Sequence, residues 1–482
     1  MRTLFSYLPI LGKGYLCLSQ NRFAKFRGDL ELIYPLVPAS GVTQWKEAGH
    51  DAHYIDCIHD SLSVEEFLER LDELKPDLLV FETKTPAVKQ NWWVVDKIKE
   101  KFPEIVVAAV GDHVSVLPKE TLENSKTDYV LTGGDFDVSM RKLADFLDGK
   151  GKLPKGAWYR DGETIKNTGP YELIKNLDEL PFIDRELVPW GNYHESWRLH
   201  NRFFYLMGGR GCPYKCSFCS WPQMLYKNSL RFRSPEKIVD EIEMLKNDYD
   251  AQEVFFDDDT FTANRKWAMK ICSEIKRRGI DIVWSCNGRV DNVDREMLTA
   301  MKEAGCRLIK FGIESASQET LDRINKGYKL SEVREGFKVS KEVGILRHGT
   351  VMLGYPWETP EDLRATIEFV KELDVDTVQF SIPIVYPGTQ LYREAVENNW
   401  LRYEPGEWDK YDMSNPSLVN PHLEGKEIVR MCERGWREVY FRPTFMLNKI
   451  INVRSVAELR WLLRGTKSVL RGHISALRKG KK

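Results

Sequence analysis

The chain has 482 residues, 42% of them hydrophobic and 30% charged, with a formal net charge of −1. That length accommodates two or three domains. The composition excludes a fibrous or disordered chain, and no apolar run reaches the roughly 18 residues that a bilayer span requires. Of the nine cysteines only three lie close together, which is no disulfide framework and points to a reducing, cytoplasmic setting. The opening "MRTLFSYLPILGKG" is interrupted too soon for a signal peptide.

Residues 1–150 alternate short apolar runs with helical patterns. The strand candidates are "RTLFSYLP", "AHYIDCI", "DLLVFE", "IVVAAV" and "DYVLTG", separated by segments such as "SVEEFLERLDELK" and "NWWVVDKIKEKF". Five such units predict an α/β domain with a parallel sheet in flavodoxin-like, Rossmann-type strand order. Ligands of such sheets sit at the carboxyl ends of the strands. Here those ends carry "ETKT" (82–85), "GDHVS" (111–115) and "TGGDFD" (132–137).

Residues 151–200 read as a connector, with "WYRDGETI" a hairpin turning at Asp161-Gly162. A second alternation fills 201–400, with strands at "RFFYLMG", "EVFFDDD", "DIVWSC", "LIKFGIE", "RHGTVMLG" and "TVQFSI". The intervening "SPEKIVDEIEMLKND" carries Ser234 as N-cap, Pro235 at the first helical position and Glu236 in the first turn. Six units predict a partial (β/α)6 barrel, whose active site lies at the carboxyl ends of its strands.

Residues 401–482 read as helical. From Arg442 onward there are eleven Lys or Arg against the single acid Glu458, so this tail carries +10 and the rest of the chain −11. Trp461, Leu462 and Leu463 sit among these basic residues. A basic amphipathic helix of this kind suits an anionic membrane surface at the inner face of a membrane. A helix packed on the barrel with solvated lysines explains the same pattern. No nucleic-acid-binding domain is evident.

The chemistry is carried by "GGRGCPYKCSFCSWP" (208–222), where Cys212, Cys216 and Cys219 are spaced C-x3-C-x2-C. Structural zinc takes four protein ligands, and no fourth cysteine or histidine follows nearby. Three thiolates can instead hold three irons of a [4Fe–4S] cluster, leaving the fourth open to a small molecule. With Phe218 before the last cysteine, this loop resembles the signature of the radical S-adenosylmethionine (SAM) family. In that family the open iron chelates the amino and carboxylate groups of SAM, and one electron cleaves the sulfonium to methionine and a 5′-deoxyadenosyl radical. A reductant such as ferredoxin or flavodoxin is implied.

The resemblance assigns further SAM contacts. "VFFDDDTF" offers Asp257, Asp258 and Asp259 for the amino group, and "WSCNGR" offers Asn287 and Arg289, the latter for the SAM carboxylate or for a salt bridge to the aspartates. "FGIES" offers Glu314 and Ser315. "GTVMLGYPWET" resembles the fifth-strand motif that packs against adenine, with Gly349 and Gly354 allowing close approach. Tyr214, Tyr355 and Tyr386 are candidate late hydrogen-atom donors.

Joined to this barrel, the first domain resembles the cobalamin-binding domain of B12-type radical SAM proteins, on "GDHVSVLP" and the following D-Y-V-x-x-G. The implied corrin contacts are Gly111, His113, Ser115, Gly133 and Gly134, with Thr83 and Thr85 as further candidates. The cobalt-ligating D-x-H-x-x-G motif is absent: in "DAHYID" the place of its glycine is taken by Asp56, and His53 reads as structural. The family's usual glutamate after the glycine pair is replaced by "GGDFD".

From about residue 233 to 470 the chain is similar to the hopanoid-biosynthesis radical SAM proteins, in a class with the anaerobic magnesium-protoporphyrin ester cyclases. The resemblance implies hydrogen abstraction from an unactivated carbon of a lipid or isoprenoid substrate, followed by C–C bond formation, rearrangement or C-methylation. The alternative is a B12-dependent methyltransferase or cyclase acting on a porphyrin or another non-lipid small molecule. The basic tail gives a direct test of membrane association. Deletion of residues 445–482 should weaken cosedimentation with anionic liposomes several-fold; unchanged binding would remove the membrane from the reading.

Overall fold

A computed structural model describes the chain except for residues 13–14, 17–25, 28–31, 194, 196, 414, 444, 446, 448–450, 452, 454, 456 and 464–482. Two sheets organise it. The first contains β1 (Arg2–Tyr7), β2 (Asp51–Asp56), β3 (Leu78–Glu82), β4 (Val106–Val110), β5 (Tyr129–Leu131), β6 (Ala157–Asp161) and β7 (Thr164–Asn167). Their order is β2-β1-β3-β4-β5-β6-β7. The first five are parallel, in the flavodoxin-like order expected from the sequence, and the β6–β7 hairpin adds an antiparallel edge.

The central strands follow from unbroken apolar runs. Every residue of "LLVFE" in β3 is buried, as a parallel strand covered on both faces requires. The helix Val64–Leu74 starts at a reciprocal cap: the Glu66 N–H donates to Ser63 Oγ, and the Ser63 N–H donates to Glu66 Oε2.

The second sheet runs in sequence order through β8 (Phe203–Leu206), β9 (Glu253–Phe256), β10 (Val283–Gly288), β11 (Cys306–Glu314), β12 (Leu346–Met352) and β13 (Thr377–Ser381). All six are parallel, which makes the partial (β/α)6 barrel. The helix Pro235–Tyr249 begins as its sequence indicates, with the Lys237 N–H bonded to Ser234 Oγ. The outward faces of the strands pack under the helices in one large core containing Phe256, Trp284, Ile309, Phe311 and Val351.

The connector is built into both halves. Arg185 is fully buried, donates to the Tyr205 carbonyl at 2.8 Å and lies 4.6 Å from the centre of the Tyr34 ring. Further on, the Leu199 and His200 N–H groups donate to Glu253 at the start of β9. Glu195 lies 3.6 Å from Lys310 Nζ, which also sits 4.1 Å from the Trp197 ring. The connector therefore closes the amino-terminal end of the barrel.

In the C-terminal region the helix Gly425–Tyr440 packs on β13 and on the helix Pro360–Glu372. Trp461 lies over the Arg307 guanidinium, 5.0 Å from the ring centre, so this part of the tail rests on the barrel. Leu463 is 61% exposed. Most of the basic tail lies outside the described residues, and among the described residues no helix is long and apolar enough to cross a membrane.

One buried acid clasps the end of β12. Glu358 accepts from the Gly354 and Tyr355 N–H groups at 2.9 and 3.0 Å and from Ser315 Oγ at 3.0 Å. Burial outweighs those bonds and raises its pKa to about 7. The folded protein then holds a proton there that the unfolded chain has released, so this contribution is full at low pH and is lost as pH rises through 7. Compared with Glu358→Gln, wild-type stability should fall by about 3 kcal/mol between about pH 4.5 and about pH 7, as read by urea denaturation at both ends. A constant difference would show that the carboxyl does not titrate there.

Candidate functional site

The cysteine loop leaves the carboxyl end of β8. Its base is a two-stranded antiparallel ribbon, Gly209–Gly211 against Leu230–Phe232. Gln223 ties the loop from within: its amide donates to the carbonyls of Cys216 (3.0 Å), Ser217 (3.3 Å) and Cys219 (2.7 Å). The Gln223 oxygen in turn accepts from the Gln390 N–H. Asn325 donates to the Lys215 carbonyl, and the Ser217 N–H donates to Ile324. The loop backbone is thus fixed by the protein before any metal arrives.

Cys212 and Cys216 are buried, Cys219 is half-buried, and none is in a disulfide. Burial pushes the thiols of Cys212 and Cys219 up, so they stay protonated until a metal takes the thiolate. Among the described residues no three His, Cys, Asp or Glu side chains are gathered around one point as single-ion ligands. Thr260 Oγ1 lies 3.4 Å from Cys212 Sγ, and the Arg289 guanidinium 4.0 Å from Cys216 Sγ. Donors at these sulfurs are what tunes the potential of a bound cluster. Phe218 is half-buried, its ring 5.7 Å from Lys326 Nζ.

The three aspartates stand at the end of β9. Asp257 and Asp258 are buried, and Asp258 accepts from the Gly208 N–H at 3.0 Å. Burial raises Asp258 to about 8; burial and the charge of Asp257 raise Asp259 to about 7. With Asp258 and Asp259 raised so far, chiefly by burial, the two are not both fully ionised near neutral pH. Asn287 donates to the Asp258 carbonyl at 2.8 Å. Arg289 does not reach the trio. It pairs with Asp291 at 3.0 and 2.9 Å, donates to the Lys326 carbonyl, and lies 3.6 Å from the centre of the Tyr214 ring.

At the end of β11, Glu314 adopts φ +63° and pairs with Lys326 at 2.6 Å, both buried. A left-handed glutamate is strained, which recurs at binding sites. Ser315 is fully buried against Glu358. Gly349 and Gly354 face side chains of the chain itself: a Cβ would come within 2.6 Å of Ile313 and 2.5 Å of Ile428 respectively. The tyrosines are likewise engaged. Tyr214 donates to Asn292 at 2.7 Å, buried Tyr355 reaches Met352 Sδ at 3.6 Å, and buried Tyr386 donates to the Tyr411 carbonyl.

The carboxyl edge of the first sheet faces this loop. Thr83 donates to Asn91 at 2.6 Å. His113 is buried with one ring nitrogen 3.2 Å from Thr85 Oγ1 and the other 3.1 Å from Glu120, and it contacts Trp408 edge-on. Gly111, at φ +119°, brings its Cα so near Thr83 that a Cβ would lie 2.3 Å from the Thr83 oxygen. Ser115 Oγ donates to the Gly111 carbonyl and accepts from the Gly133 N–H. Gly133 and Gly134 are covered by the rings of Tyr171 and Tyr226. His53 stands on β2, bonded to Asp51.

Sequence reasoning missed Gln223, Lys326, Glu358 and Lys84. Lys84 is buried between Glu82 (3.2 Å) and Asp112 (3.4 Å), its ammonium 4.9 Å from the Trp221 ring. The nearness of Gln223 to Cys219 in the chain is the one signal that could have singled out any of these.

The Radical SAM superfamily profile matches residues 206–370. Over 404 residues the chain is 32% identical to an uncharacterized methyltransferase of Pyrococcus horikoshii, covering 83% of this chain and 86% of that one. It is 29% identical over 408 residues to the anaerobic magnesium-protoporphyrin IX monomethyl ester cyclase of Cereibacter sphaeroides, covering 82% of this chain and 65% of the cyclase. Its fold is similar to that of the radical S-adenosylmethionine methyltransferase TsrM from Kitasatospora setae, solved with cobalamin and a [4Fe–4S] cluster, at TM-score 0.70 and 18% identity over 98% of this chain and 99% of that one. The cysteine loop on a six-stranded partial barrel, the flavodoxin-like sheet before it and these similarities together establish that the chain belongs to the B12-binding radical SAM superfamily.

Proposed function

We propose that the protein is a radical SAM methyltransferase or cyclase that alters a carbon of a small organic molecule. The observation that carries this is the cysteine loop at the end of β8, its backbone pre-tied by Gln223 and its sulfurs approached by Thr260 and Arg289. Bound there, a [4Fe–4S] cluster and SAM would supply a 5′-deoxyadenosyl radical, and cobalamin a transferable methyl group.

The residues present suit these groups. Cys212, Cys216 and Cys219 would hold three irons. The crowded Asp257–Asp258–Asp259 trio suits a cationic amino group, and Asn287, Glu314 and Ser315 extend the polar wall. At the edge of the first sheet the buried Asn91 amide nitrogen has no hydrogen-bond acceptor among the described residues. It lies beside Thr83, where an amide-fringed ligand such as a corrin would supply one. Thr85, Gly111, His113, Ser115, Gly133 and Gly134 would complete that wall. Tyr214 remains the tyrosine nearest the cysteines in the chain and is the candidate late hydrogen-atom donor, ahead of the more deeply buried Tyr355 and Tyr386. A ferredoxin or flavodoxin would deliver the electron.

Two substrate classes divide the reading. Methyl transfer or ring closure on a porphyrin or other non-lipid molecule is supported by the names of the relatives. A lipid or isoprenoid substrate at a membrane surface is supported by the exposed Leu447, Ile451, Leu459 and Leu463, which are 57%, 75%, 46% and 61% exposed next to the basic tail. Anaerobic reconstitution tests the chemistry. Wild type should take up about four irons and cleave SAM under a strong reductant, releasing 5′-deoxyadenosine and methionine. Cys212→Ala, Cys216→Ala and Cys219→Ala should each lose the cluster spectrum and reduce cleavage at least a hundredfold. A colourless wild-type protein with one zinc would overturn the proposal.

A further inference from the structure

We propose that Arg210 is a positioning residue for the cysteine loop, gripped from the first sheet by Asp135 and Asp137, and that these two acids serve this grip rather than a ligand. The inference rests on Cys212, Cys216 and Cys219 being the cluster ligands.

Arg210 stands two residues before Cys212, in the ribbon that forms the base of the loop, directly opposite Arg231. Like charges across a strand pair repel, and here the pair is held almost out of water: Arg210 is 5% exposed. Two carboxylates relieve it. Asp137 takes Arg210 in a two-pronged grip at 2.9 and 2.7 Å. Asp135 lies between the arginines, 3.1 Å from Arg210 and 2.5 and 3.0 Å from Arg231. Neither acid is loose on its own side. Asp137 also accepts from Ser40 at 2.7 Å and Gln44 at 3.2 Å, on the helix Leu36–Glu47, and Asp135 accepts from the Ile174 N–H.

The acids occupy "GGDFD", where the family resemblance led one to expect a glutamate after the glycine pair. All four of their carboxylate oxygens are engaged by Arg210, Arg231, Ser40, Gln44 and Ile174, and neither side chain is more than 2% exposed. Each oxygen therefore already has a partner within the protein, and neither side chain faces solvent. Independent contacts seat the same segment: the Gly134 N–H donates to the Leu225 carbonyl, and Lys84 lies under Trp221. The loop that carries the cysteines is therefore anchored at its root to the glycine-pair loop of the first sheet. Its aim at the SAM residues of β9 and β11 is set from outside the barrel.

The test uses the full chain, reconstituted anaerobically, comparing wild type, Arg210→Lys and Arg347→Gln. Lysine keeps the charge and loses the two-pronged geometry. Arg347 forms a buried pair with Asp376 at the start of β12 and serves as a stability control. Readouts are iron content, thermal midpoint, the electron paramagnetic resonance spectrum of the reduced cluster with and without SAM, and the rate of SAM cleavage. We expect R210K to keep its iron, to shift the spectrum seen with SAM, and to cleave SAM about tenfold more slowly or worse, as misplacement of reacting groups does. R347Q should lose thermal stability and keep both signatures. A wild-type spectrum and rate in R210K would overturn the proposal, as would losses in R347Q that track its thermal midpoint equally. If R210K does not fold, Asp137→Asn carries the same expectations. A wild-type protein that binds no cluster overturns the assignment of the cysteines, and the positioning role falls with it.

Discussion

Two arginines face each other across neighbouring strands, Arg210 and Arg231, and two buried aspartates at the start of the helix Phe136–Leu147, after β5, make that arrangement tolerable. Taking ions out of water costs several kcal/mol each, and the cost is recovered only when every partner is present; deleting one costs about 3–5 kcal/mol. The network therefore works as a condition of assembly. The ribbon cannot be buried until the loop after β5 is in place. The helix Leu36–Glu47 adds Ser40 and Gln44 as further partners of Asp137. The first sheet is in this sense part of the site, whatever ligand it takes.

The same economy appears around the cysteines. Polar side chains near them are spent on backbone groups and on one another: Gln223 on three carbonyls, Asn325 on a fourth, Glu358 on two N–H groups, Lys326 on Glu314. At the end of β9 the balance differs: burial raises Asp258 to about 8 and Asp259 to about 7.

Much of this was legible in the sequence. The strands of both sheets announced themselves as apolar runs, and "LLVFE" or "VVAAV" can hardly be anything but strands buried on both faces. The cysteine spacing, its place after β8 and the Ser234 cap were equally local. What escaped was nonlocal. Arg210 meets Asp137 across 73 residues, Arg231 meets Asp135 across 96, and Ser315 meets Glu358 across 43. No periodicity encodes such pairings. Distant and near neighbours also surround several of the candidate residues in ways that their local patterns do not show. Tyr171 lies against Gly133 and Tyr226 against Gly134, from 38 and 92 residues further along the chain. Arg289 pairs with Asp291, two residues on.

The stopper at the base of the barrel has a consequence for how the molecule is made. Trp197, which meets Lys310 and Arg307, precedes Arg307 by 110 residues in the chain. Chains emerge from the ribosome amino end first, so the stopper is synthesised before the strands it closes. The residues that meet β11 from below are thus present in the nascent chain about a hundred residues before β11 itself is made.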